Sequence, residues 1–188
     1  FSMFFETFKN NLNLKGNGVY IPPYTNLPKG GLFISSDKYC NIHLGNFDEE
    51  TFKINYGNES GVLIAPPLNY SFIKEIEKYS NMDFSNSDIY TTISAVSSTL
   101  KAYGLIDTIE CEEIDDNIIK LTIEDIKLKS CLNLDVKTSG IICPIISSTL
   151  HIIAKSLNQL MTIKEIEKKG NCVEITIVKL GTIDEHMW

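Results

Sequence analysis

Arginine is missing from this 188-residue chain: all 17 basic residues are lysines, set against 24 acidic residues for a net charge of -7. Without a guanidinium, bidentate grips on phosphate or carboxylate and an arginine finger are excluded. With a pI near 5.0, the chain is also not a general nucleic-acid binder. Long apolar runs are missing as well. The longest, 141–146, is interrupted by Pro144 and falls far short of the ~20 residues of a membrane span. No Cys-x-x-Cys pair occurs, so a structural zinc site is unsupported. The five cysteines are odd in number and irregularly spaced, unlike a secreted disulfide framework. They suit a reducing cytoplasm, where most serve as small buried apolar residues.

What is present is an ordinary globular composition. Apolar residues make up 43% of the chain, enough to exclude disorder. The length fits one domain, with or without an appendage, burying about two-thirds of the unfolded surface. The chain opens on Phe1-Ser2-Met3. Either two residues precede a native Met3 or the chain is cut from a longer one, and membrane attachment is expected only if an upstream anchor belongs to it.

Three parts follow along the chain. Residues 1–14 space Phe1, Phe4, Phe5, Phe8 and Leu12 as one amphipathic helix, whose aromatic stripe docks on its own domain, a second copy, a partner or a membrane. Residues 15–85 hold a small strand meander and a helix. Glycines and prolines make 15–31 a loop; strands are expected at 31–35, 39–44, 51–55 and 61–65, and a helix at 69–79. Residues 86–181 carry an internal repeat. An offset of 54 superposes Thr108 on Thr162, Ile109 on Ile163, Asn117 on Asn171, Thr122 on Thr176 and Ile123 on Ile177. Each copy reads as a helix (87–103, 144–157) leading into a hairpin (106–114 with 117–124, 160–167 with 172–180). Two such units build one four-stranded antiparallel sheet with helices across a face. The fold class is therefore α+β, mostly antiparallel, packed as one domain.

Chemistry concentrates at Gly140–Ser147. Proline favours the first helical turn, which puts Cys143 at the N-cap ahead of Pro144, where open N–H groups and the positive helix end lower a thiol pKa. The flanking isoleucines act in the opposite sense, so the reading is divided between a reactive thiol and a packed helix start. Cys131, twelve residues upstream, is the candidate partner. His151 lies eight residues on, about 12 Å along the helix axis, too far for a thiol–imidazole pair. Pro144, Ser147 and His151 are candidate pocket-lining residues. The carboxylates between Glu110 and Asp116 read as a solvated hairpin edge. Ser97, Ser98, Ser147 and Ser148 lie inside helices without a nucleophile elbow.

Residues from about Tyr20 to Gly181 resemble a group of uncharacterised archaeal proteins. In these, a Pro-Pro segment precedes a helix, here Ala65-Pro66-Pro67, and a Cys-Pro helix start precedes the last hairpin, here Cys143-Pro144. The resemblance implies further cysteines near that start and with them a metal or redox site, but Ile146 stands where the Cys-Pro-x-Cys partner falls. That group has no established activity, so no function follows. Residues 140–178 are also similar to the ending of 4-vinyl-reductase-type small-molecule-binding domains, through Cys143 and Gly170-Asn171-Cys172; the glycine-rich helix face of that family is replaced by Ser148, Ile152 and Ala154.

With no catalytic constellation, the expectation is a cytoplasmic, non-enzymatic domain, dimeric, binding a partner or a small apolar ligand between helices and sheet. The alternative is a thiol redox or metal-binding protein using Cys143 with Cys131. No cofactor is named by any motif.

Overall fold

A computed structural model describes residues 2–38, 41–56, 59–132 and 141–188. Along it run α1 (Ser2–Asn11), β1 (Gly18–Ile21), β2 (Gly31–Ser35), β3 (Lys53–Tyr56), β4 (Glu59–Ile64), α2 (Tyr70–Ser80), α3 (Ile89–Ala102), β5 (Thr108–Glu113), β6 (Ile118–Glu124), α4 (Pro144–Leu157), β7 (Gln159–Lys169) and β8 (Cys172–Thr182). Local chemistry sets the helix ends. Asp88 caps α3 by accepting the Thr91 N–H at 3.0 Å. Asn81 and Asn158 close α2 and α4 in the left-handed conformation, where asparagine substitutes for glycine.

All eight strands join one antiparallel sheet, in the order β3-β4-β2-β1-β7-β8-β6-β5. The fold is thus α+β with an antiparallel sheet. The repeat becomes visible in the four strands β7-β8-β6-β5. β6 and β8 pair so that Leu121 faces Ile175, Ile119 faces Ile177 and Ile123 faces Val173. Leu121 and Ile175 are themselves one repeat apart, so a pseudo-two-fold axis passes through that pair. The hairpins agree too: Ile109↔Ile123 in the first corresponds to Ile163↔Ile177 in the second. Agreement ends at a bulge after Ile163, where Lys164 is the extra residue between Ile163↔Ile177 and Glu165↔Thr176.

Apolar residues on the two faces have different covers. On one face, Ile73 and Ile76 of α2, Ile93, Val96 and Leu100 of α3, and Ile146, Leu150 and Ile153 of α4 pack on the inward residues of the sheet. Phe5 of α1 joins the same core, so the first helix docks on its own domain. On the opposite face, Leu44, Phe47 and Ile183, from segments outside the sheet, cover Ile21, Phe33, Leu63 and Leu160. That cover stops at mid-sheet.

Three expectations change. Residues 15–31 are not all loop: β1 lies there, held by β2 and β7, because its pairing partners lie far along the chain and leave no local signal. The strand expected at 39–44 is not found. Residues 39 and 40 lie outside the described residues, 41–43 are irregular, and Leu44–Asn46 is a 3-10 turn. Tyr24 Oη donates to the Leu44 carbonyl at 2.7 Å and the His43 N–H donates to Glu59 at 3.1 Å, so tertiary partners replace the ladder. Nor is the N-terminal half a meander, since β4 inserts between β2 and β3. The connection after β2 folds over the outer face and delivers β3 to the far edge.

Candidate functional site

The start of α4 has the geometry that the Cys-Pro pair implies. Pro144 occupies the first turn, Cys143 is the N-cap, and its Sγ accepts the Ile146 N–H at 3.5 Å. A 3-10 turn at Lys129–Cys131 packs against this end, and Cys131 and Cys143 are joined in a disulfide with Cα atoms 5.0 Å apart. Both are buried, at 3% and 0% exposure. The pairing brings the candidate partner Cys131 onto Cys143 through a turn that sequence spacing does not report. Cys111 and Cys172 are free thiols. Burial pushes Cys111 up to about 11 and Cys172 above its usual value, with neighbouring glutamates adding to both. Neither is primed as a nucleophile.

The other candidate residues disperse. Ser147 is buried, its N–H donating to the Cys143 carbonyl at 2.9 Å, and neither it nor Pro144 lines either of the two cavities described here. His151 does. Its ring stands edge-on to Tyr20 with centroids 4.9 Å apart, and burial drives it down to about 3, so it is neutral at physiological pH. It borders a cavity of about 290 Å³ shared with Tyr70, Glu77 and Lys155. There the buried Glu77 of α2 accepts from Lys74 at 2.6 Å and from Lys155 of α4, which also reaches Asp83 at 3.1 Å. The Ser85 N–H, then Lys155, hold the Asp83 carboxyl down at about 2. This network ties α2 to α4, and its charges are already satisfied by one another.

The larger cavity lies on the helix-free face. It is a trough of about 1030 Å³ at mid-sheet, where the covering segment ends. Val19 of β1, Thr162 of β7, and Val178 and Leu180 of β8 form its floor, with Phe33 and Ile42 on the covered side. On β8 the outward residues pass from Glu174 and Thr176 to Val178 and Leu180, so the face turns apolar as it enters the trough. Asn17 closes one end by donating its side-chain N–H to the Ile163 carbonyl at 3.0 Å. Lys15, Lys38, Lys164 and Asp37 also line it. The sequence reading missed this site. Its one legible trace was the apolar shift along β8, because the lining residues come from four separate stretches of chain.

Among the described residues no three His, Cys, Asp or Glu side chains converge as a metal set, and no helix is long and apolar enough to cross a membrane. The class defined by fold and cavities is an α+β domain with an eight-stranded antiparallel sheet, helices on one face and an open trough on the other. Comparison with known proteins yields no match, whether to a protein-family model, a curated protein or a solved structure.

Proposed function

We propose that the chain is a non-enzymatic binding domain whose ligand is a small, largely apolar molecule held in the mid-sheet trough. The observation that carries this reading is the cavity itself, about 1030 Å³ over Val19, Val178 and Leu180, a volume at the upper end of small-molecule sites. The helix–sheet interior, where such a ligand was expected, is occupied by the protein's own side chains: Ile145, Ile146, Leu150 and Ile153 are fully buried. Nile red, a neutral solvent-sensitive dye, tests the reading. Its emission is expected to rise and shift blue on mixing with the protein, and Val178→Asp, which puts a charge on the floor, is expected to weaken binding at least tenfold. Unchanged emission with the wild type, or equal binding by the variant, removes the trough as the site.

A second reading, thiol redox chemistry in a cytoplasmic protein, is favoured by the bonded Cys131 and Cys143. An external dithiol would reduce the bond, becoming a disulfide itself as the two cysteines become thiols. Thiol titration of the unfolded chain is expected to find two fewer thiols before reduction than after. If a glutathione buffer at cytosolic poise leaves the bond intact in the folded protein, the bond is structural and this reading falls.

A further inference from the structure

We infer that the trough selects an amphipathic anion: a ligand with an apolar body and a carboxylate or phosphate head held by Lys15, Lys38 and Lys164. The inference rests on the binding reading above and deepens it. Three observations support it.

The first is charge out of place. In a protein of net charge -7, three lysines and one acidic side chain, Asp37, line a single cavity. Elsewhere seven lysines (Lys74, Lys101, Lys120, Lys127, Lys155, Lys169 and Lys179) form nine ion pairs with carboxylates, yet Lys15, Lys38 and Lys164 enter none of them. Among the described residues these three have no carboxylate partner.

The second is the bulge at Lys164. Ile163 and Ile166 both pack toward the helices, so the two residues between them, Lys164 and Glu165, face outward against the single Thr176. The residue that the bulge re-aims is Glu165, whose repeat equivalent Cys111 packs inward, whereas Lys164 keeps the outward side that follows an inward isoleucine in both copies. In the first repeat the hairpin has no bulge, and the equivalent of Lys164 is Glu110, paired opposite Thr122. The second copy therefore departs from the first at the trough, in both backbone and sign of charge.

The third is the floor. Val19, Val178 and Leu180 are half-buried apolar residues on an outer sheet face that beyond Ile118, opposite Val178, is polar over β5 and β6. Apolar floor and basic rim together match an anion with a hydrocarbon body. Lysine acts here as a point charge and needs no bidentate geometry, so the lack of arginine is no obstacle.

Calorimetric titration with molecules of equal chain length tests the inference: octanoate, octyl phosphate, octanol and octyltrimethylammonium. One of the two anions is expected to bind at least tenfold tighter than octanol, and the better one identifies the head group; the cation is expected to bind more weakly than octanol. The combined variant Lys15→Gln, Lys38→Gln and Lys164→Gln is expected to lose about tenfold in affinity for the anion while octanol binding stays unchanged. These positions are exposed, so the variant keeps its core, and unchanged octanol affinity reports that the trough is intact. Octanol binding as tightly as both anions overturns the anion inference and leaves the apolar trough standing. Failure of all four to bind overturns both.

Discussion

Between pH 7 and pH 4.5 the protein is expected to lose about 2–3 kcal/mol of stability through His151 alone. The buried ring holds a proton only below about 3, whereas an unfolded imidazole takes one near 6.5. Across that window the unfolded chain binds more protons than the folded one, so acid favours unfolding. The contribution is complete above roughly pH 6.5, shrinks as pH falls, and changes no further below about 3. The cause is geometric. The ring is buried against Tyr20, and the one buried carboxylate bordering its cavity, Glu77, is engaged by Lys74 and Lys155. Urea unfolding of the wild type and His151→Gln at both pH values checks this. The variant lacks the titrating group and should show a drop smaller by that amount. Equal drops in the two proteins would place the ring in contact with water and refute the assignment.

Leu121→Ala is expected to cost about 2–5 kcal/mol, the range for deleting a fully buried leucine. Leu121 sits on the pseudo-two-fold axis, opposite Ile175, in the strand pair that joins the two repeat units. It has no exposed surface, and its neighbours belong to both units, so the cavity left behind cannot close by moving one hairpin alone. The near-symmetric Ile175→Ala should cost a similar amount, and Thr122→Ala, on the outer face, should fall within about 0.5 kcal/mol. Denaturant midpoints at an unchanged slope measure all three. A Leu121 loss below about 1 kcal/mol would mean that β6 and β8 do not pair to join the two repeat units.

The repeat was legible because its signal is local and periodic. Isoleucines at matched positions and polar hairpin tips defined two helix-plus-hairpin units, and β6 and β8 pair in the register that the offset of 54 requires. Helix α4 was legible to the residue, since Pro144 and Asn158 punctuate its two ends. β1 was not. Four residues between glycines and prolines become a strand only because β2 and β7 stand on either side, and hydrogen bonds to partners far along the chain leave no mark in a short window. The false strand at 39–44 is the converse, an alternating pattern whose backbone groups found side chains and turns instead.

The candidate site divides along the same line. Composition and spacing determined that the chain is an acidic, arginine-free α+β domain, and that Cys143 begins a helix. Periodicity, capping residues and charge all act within a few residues of one another. Only the tertiary structure decided that Cys131 meets Cys143, that the helix–sheet interior is filled, and that three lysines spread over 150 residues line one trough. The outer face of β8 acquires meaning as a floor only when a covering segment stops short of it, and Lys164, outward like its repeat equivalent Glu110, borders a trough only because β7 pairs with β1 on its other side. The missing arginines, which spoke against anion binding when read alone, leave these three lysines, without a carboxylate partner among the described residues, to carry the positive charge of the site.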